Sequence, residues 1–272
     1  MSVDVFLLIA AGALAGGFAN GLAGFGTGLF ALGWWLAAMP PIDAVVTVVI
    51  MSLIGGLQGL YAVRNAIEFR GQVRFLVPAS IGIVIGYLCL ELINIILLKL
   101  LVAGLLFLFG GFFAFRKKLT NLKKRYLAVG VLVGFIGGLS GMMTGMSGVI
   151  LTMCCSLYAW TKAQRRALVQ PFNMIVLGTV LLLMGLRGLL GPHIWLTVAI
   201  AFPFSIIGTH SGIFAFRRLS DHPFQRLLIW LIFLAGLVLA GRERSARLAV
   251  WCQCSVKLLA ARWGCRFRVS VW

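Results

Sequence analysis

Apolar residues in this chain come in runs long enough to cross a bilayer, and the charged residues fall between them. Two runs stand out by length and glycine content, Val5 to Met39 and Leu127 to Trp160, each about 35 residues long. A membrane-crossing helix needs roughly 20, so neither reads as one straight span. Shorter apolar runs follow each of them. In the first half they lie at about Ala44–Val63, Phe75–Leu92 and Ile95–Phe115; in the second, at about Ala167–Leu186, Ile194–Phe216 and Leu227–Ala240. The pattern predicts an all-α polytopic membrane protein with two similar halves.

The two long runs share a motif: GGFANGLAGFGTG, Gly16 to Gly28, and IGGLSGMMTGMSG, Ile136 to Gly148. A shift of 120 positions lays Gly17 on Gly137, Gly21 on Gly141, Gly28 on Gly148 and Thr27 on Ser147. Glycine at this density marks backbone that breaks or is closely approached. At membrane depth a break survives only where protein or a water-filled cavity satisfies the freed groups, and transporters build substrate sites at such breaks. The plainer reading is close helix packing through small-xxx-small contacts, as between Gly17 and Gly21. Two copies at matching places in two halves favour a site.

Charge sets the topology. Arg64–Arg74 carries three Arg and Glu68, Arg116–Arg125 six Lys/Arg and no acid, Trp160–Arg166 three basic residues, and Arg217–Arg226 three Arg and Asp221. The intervening connections hold little positive charge. All four basic loops reach the cytoplasm only if each glycine-rich run enters and returns to its own side. Each half is then a glycine-rich broken or re-entrant hairpin plus three transmembrane helices. The first half starts outside and the second inside, giving two inverted-topology repeats. Residues 1–118 form the first membrane repeat, 119–126 a basic cytoplasmic linker and 127–240 the second repeat. Residues 241–272 are an atypical basic tail with seven of the 24 Lys/Arg and no repeat counterpart. That composition fits a disordered tail or translation past a frameshift. The N-terminus lacks a basic n-region, so no signal-peptide cleavage is expected.

Composition agrees. Hydrophobic residues make up 61% and charged residues 11%, against about 45–50% and 25% in soluble domains. The net charge of +18 sits in loops between spans and forms no stripe for nucleic acid. Cys89, Cys154 and Cys155 fall in apolar runs as small hydrophobes; no cofactor or metal is expected. Polar groups at membrane depth are few, so each is a candidate: Asn20 and Thr27 in the first hairpin, Ser140, Thr144 and Ser147 in the second. Gln170-Pro171-Phe172-Asn173 adds a proline flanked by amides in an apolar span. Half-helix N-termini offer free N–H groups and partial positive charge; hydroxyls and an amide add neutral donors. Asn20, Gly24, Gly26, Thr27, Ser140, Thr144, Ser147 and Asn173 are therefore expected to form a site for a small anion, with Thr27 and Ser147 approaching from opposite halves. Arg166 and Arg187, at span ends, are expected to snorkel or fix topology. His210, inside a span, reads as a hydrogen-bonded packing histidine.

The glycine-rich hairpins, the Gly24-Phe25-Gly26-Thr27-Gly28 run with its partner Thr144-Gly145-Met146-Ser147-Gly148, and Gln170-Pro171-Phe172-Asn173 resemble the TauE/SafE family of sulfite exporters over about Val5 to Ala240. The resemblance implies a multi-pass permease of the bacterial inner membrane, often for sulfite or organosulfonates, and no enzyme. Its partners would be a small anionic substrate and the lipid bilayer, with no nucleic acid and a homo-oligomer left open. Two rival functions are a membrane thiol-redox enzyme using Cys154, Cys155 or His210, and a non-transporting subunit of a membrane complex. The topology is testable. Single cysteines at Thr120 and Lys162, in a background without native cysteines, should both resist an impermeant thiol reagent added outside; labelling of one alone means that the second run crosses once.

Overall fold

The computed structural model describes residues 2–63, 69–90, 97–98, 100–102, 104–105, 108, 127–157 and 161–219. Most of the expected span Ile95–Phe115, the span Leu227–Ala240, the linker 119–126 and the tail 241–272 lie outside the described residues. Among those described, secondary structure is helical, with no strand. The elements are α1 Val3–Ala23, α2 Thr27–Trp35, α3 Pro41–Val63, α4 Phe69–Leu88, α5 Leu127–Thr144, α6 Gly148–Ser156, α7 Lys162–Leu186 and α8 Pro192–Arg218. Five of them are long and apolar enough to cross a membrane: α1, α3, α4, α7 and α8. On α4 the exposed residues Val73, Val77, Ile81, Val84 and Leu88 recur at helical spacing. Such an apolar outer face is stable against lipid and not against water.

Each glycine-rich run forms a long helix, a sharp break and a nine-residue helix. Ser2 caps the start of α1 by accepting from the Val5 amide, a favoured N-cap arrangement. Gly24 ends α1 at φ 82°, its amide bonded to the Asn20 carbonyl at 2.8 Å. Gly145 ends α5 the same way, at φ 70° with its amide 3.0 Å from the Gly141 carbonyl. This is the left-handed cap that glycine adopts without a Cβ penalty. The chain then doubles back. Trp35 at the end of α2 is fully buried and donates its indole N–H to the Ile9 carbonyl at 3.2 Å. Gly12 makes room for it, since a β-carbon there would lie 2.5 Å from Nε1. The first long run thus returns toward the end from which it started.

The remaining glycines of the motif serve packing. Helix association in lipid lacks a hydrophobic driving force and depends on close approach. Gly17 and Gly21 of α1 lie against the Ser205 and Thr209 carbonyls of α8, while Gly208 and Gly212 of α8 lie against the Leu14 and Phe18 carbonyls of α1. In the same manner Gly134 and Gly138 of α5 meet the Phe75 and Ala79 carbonyls of α4, and Gly82 of α4 meets the Phe135 carbonyl of α5. Residue numbers rise together in both pairs, so α1 runs parallel to α8 and α4 to α5. Helices α3 and α7 cross antiparallel, with Gly56 near Met174 and Gly59 near Arg166. His193 and Asp43, 3.1 Å apart, join the starts of α8 and α3. Arg187 stacks on Tyr87 at 3.9 Å, joining the ends of α7 and α4.

These contacts correct the register of the motif. Gly16 faces the Thr27 carbonyl as Gly137 faces that of Ser147, and Gly17 and Gly138 hold matching places against α8 and α4. Before the break, Gly16 and not Gly17 therefore matches Gly137, and Asn20 and not Gly21 matches Gly141. After the break Thr27 still matches Ser147. The first break has one residue more: Gly26, at φ 110°, has no counterpart.

An alanine at Gly21 or Gly138 would drive a methyl group into a carbonyl of the neighbouring helix, and overpacking of this kind costs about 1–3 kcal/mol. Nothing lies within 4 Å of a β-carbon at Gly178, so alanine there should be neutral or mildly stabilising. Thermal unfolding in detergent should rank Gly178→Ala at or above the parent and Gly21→Ala and Gly138→Ala below it. Equal stability of all three would refute the close crossings.

Candidate functional site

The two breaks meet inside the bundle. A β-carbon at Gly28 would lie 2.8 Å from Met146 Cγ and 3.4 Å from the Thr144 carbonyl oxygen; one at Gly148 would lie 2.7 Å from Phe25 Cβ. Each short helix thus begins against the opposite break. Neither beginning has a side-chain cap: Gly26 precedes α2 and Ser147 precedes α6, without a capping bond. No side chain caps the first amides of either helix, at the end that carries partial positive charge.

The expected site residues surround these beginnings in different bonding states. Thr27 is buried, and its Oγ1 has no hydrogen-bond partner. Its methyl and carbonyl pack on Gly16 of its own hairpin. Ser147 is buried and its hydroxyl donates to Asn173 Oδ1; it packs on Gly137 and Gly141. Both hydroxyl residues lean on their own hairpins, and Phe25 and Met146 make the crossing contacts. Ser140 donates to the Gly137 and Met146 carbonyls at 3.3 and 3.2 Å, and Thr144 to the Ser140 carbonyl at 2.7 Å. Asn20 donates to the Ser52 carbonyl at 3.1 Å, leaving Oδ1 unpartnered.

A second polar layer lies beside the first break, between α1, α3, α7 and α8. Arg166 is 2% exposed, and none of its three guanidinium nitrogens has a hydrogen-bond partner among the described residues. Of the two roles expected at a span end, snorkelling is excluded, because the end of α1 and the last turns of α3 and α8 cover this residue. Its guanidinium carbon sits 4.5 Å from the Phe216 ring centre. Gln170, one turn on, donates Nε2 to the Gly56 carbonyl at 3.0 Å and leaves Oε1 unpartnered. A β-carbon at Gly59 would lie 2.8 Å from both Arg166 Nη2 and Gln170 Oε1; one at Gly24 would lie 2.5 Å from Gln170 Oε1. Gly55 gives the same room to Asn20 and Thr209, whose Oγ1 is also unpartnered. The sequence signal for this layer was the i, i+4 spacing of Arg166 and Gln170, and the triplet Gly55, Gly56 and Gly59 on α3.

A cavity of about 870 Å³ opens between α3 and α8, lined by Gln58, Tyr61, His210, Ser211 and Arg217 among others. His210 bonds its Nδ1 to the Ile206 carbonyl at 3.2 Å, but it is exposed toward this cavity and not packed in a core. Gln58 and Arg217 on its wall are chain neighbours of Gly59 and Phe216, but neither Arg166 nor Gln170 lines it.

Five helices able to cross a bilayer, with an outer face that suits lipid, belong to a multi-pass membrane protein. A "Probable membrane transporter protein" from Haemophilus influenzae is 24% identical over 222 residues, covering 78% of this chain and 85% of the relative. No solved structure matches the chain. The family model described as "Sulfite exporter TauE/SafE" matches residues 8–239, through both breaks and every described helix from α2 to α8. The chain belongs to the sulfite exporter TauE/SafE family.

Proposed function

We propose that this protein is a secondary transporter of a small anion, with sulfite or an organosulfonate as the substrate class, working by alternating access between two inverted halves. One observation carries the reading: two uncapped short helices begin against each other inside a membrane bundle, beside buried polar atoms that lack partners. Fixed N–H groups and hydroxyls bind an anion at helix starts without a buried countercharge. Asn20, Gly24, Gly26, Thr27, Ser140, Thr144, Ser147 and Asn173 are its first candidates. Thr27 is the strongest, because the fold leaves its hydroxyl unused. The family's description supplies the sulfur oxoanion, and the relative's description favours transport over a thiol-redox enzyme or an assembly subunit.

Inversion is supported by the matched contacts. Helix α1 packs parallel to α8 as α5 packs parallel to α4, while α3 and α7 run antiparallel. If α5 corresponds to α1 and α7 to α3, corresponding helices point in opposite directions. Rocking one half against the other would then open the breaks to alternate sides.

Sulfite flux in proteoliposomes tests the proposal. Loss of a hydrogen bond to a charged ligand costs about 1.5–3 kcal/mol, roughly ten- to hundredfold in affinity. Thr27→Val should raise the KM for sulfite by that factor while the protein folds normally, since no internal bond is lost. Ser147→Ala should also weaken transport, with some loss of stability from the orphaned Asn173 acceptor. Parental KM in both variants would remove the break hydroxyls from the site.

A further inference from the structure

The transporter reading above rests on neutral groups. We infer that Arg166 is the charged ligand of the transported oxoanion, at the mouth of the pathway on the side of the basic loops, with Gln170, Gly24 and Gly59 shaping the space before it. This deepens that reading and depends on it.

Arg166 is a guanidinium with no acceptor, at 2% exposure, in a membrane helix. The neighbouring cation is provided for: Lys162 Nζ donates to the Phe216 carbonyl at 2.7 Å and to the Leu219 carbonyl. Among the described residues Arg166 has only the Phe216 ring. A ring attracts a cation electrostatically, but it accepts none of the five N–H bonds that a guanidinium offers around its edge. Removing such a group from water without a partner is among the costliest arrangements in a protein, and ionisable groups inside membrane spans are kept for function.

The shape of the guanidinium defines the ligand. A guanidinium presents parallel N–H groups that match two oxygens of one sulfite, sulfonate or carboxylate, a match that neither lysine nor a halide can reproduce. Arg166 Nη2 and Gln170 Oε1 face the same glycine, Gly59. Gln170 is held by its bond to the Gly56 carbonyl, so its oxygen stands as a fixed acceptor for the O–H of a protonated or hydrated oxoanion. Arg217, the residue after Phe216, lies on the wall of the 870 Å³ cavity between α3 and α8; Arg166 itself does not line it.

The matched contacts argue against a structural role. Gly28 meets Val48 as Gly148 meets Val169, which makes Val45 and Val49 the counterparts of Arg166 and Gln170. The second break is accordingly lined by Val48 and Val49, where the first meets Gln170 and the Arg166 stem. The same architecture stands with aliphatic residues in those positions, so the fold itself does not need the charge.

The test uses the full chain, purified in detergent and reconstituted, with sulfite kept anaerobic, methanesulfonate, acetate and chloride at equal ionic strength. Wild type should be thermally stabilised by the oxoanions more than by chloride. Arg166→Met should melt higher than wild type without ligand, because an unpaired buried charge is removed, yet show no sulfite-induced shift and no sulfite flux. Arg166→Lys keeps the charge and loses the fork, and should raise the sulfite KM by about tenfold or more. A lowered melting temperature with a retained sulfite shift in Arg166→Met would make the residue structural and overturn the inference. Should that variant not fold, an unchanged sulfite KM in Arg166→Lys would overturn it equally. Undiminished flux in the Arg166 variants, with wild type active, sinks this inference alone; a wild type that moves none of the four anions sinks the transporter reading and takes this one with it.

Discussion

The backbone of a membrane protein must satisfy itself, because hydrocarbon supplies no hydrogen bonds. Every unusual feature of this fold follows from breaking that rule twice. Helices α1 and α5 stop at left-handed glycines inside the bundle, and α2 and α6 start again within three residues. Four helix ends are thereby set against protein instead of water. The structure shelters them by putting the two breaks together, each against the other's side chains. Each break is covered partly by the other and partly by a spanning helix, α7 for the first and α3 for the second.

That arrangement demands unusually close helices. Two parallel pairs, α1 with α8 and α4 with α5, hold the long arms of the hairpins, and both approach until glycines touch neighbouring carbonyls. The short arms are fastened separately, as where the Trp35 indole reaches the Ile9 carbonyl. Rigid arms surround a pair of beginnings whose first amides no side chain caps. The concentration of glycine therefore answers two needs at once, close contact along the arms and positive φ at the turns. The sequence reading had set these against each other, and both are present, at different residues.

Much of this was legible before the fold was known. Run lengths betrayed the breaks, because 35 apolar residues exceed one span. The register was less visible for a plain reason. Gly16-Gly17 and Gly137-Gly138 are doublets, so a shift wrong by one residue still lays glycine on glycine, and the extra Gly26 disguises the slip. Arg166 was misread for a different reason. Its place near a span end suggested exposure, but burial there is set by the arrival of α1 from a distant part of the chain, with Gly24 against the arginine stem. No sequence rule says that the Ser147 hydroxyl finds Asn173 while the Thr27 hydroxyl finds no partner among the described residues.

The triplet Gly55, Gly56 and Gly59 reaches further than the polar layer it accommodates. These residues sit in the first half and make space for Asn20 of the same half, but also for Met174, Gln170 and Arg166 of the second. On the correspondence proposed above, the second half carries Val176, Leu177 and Val180 where the first carries these glycines. Two copies of the second half paired together would press Arg166 against Val180, with no hollow to receive it. Two copies of the first would leave Gly59 opposite Val45, an empty space in a packed interior. On that correspondence each half is the mould of the other and not of itself.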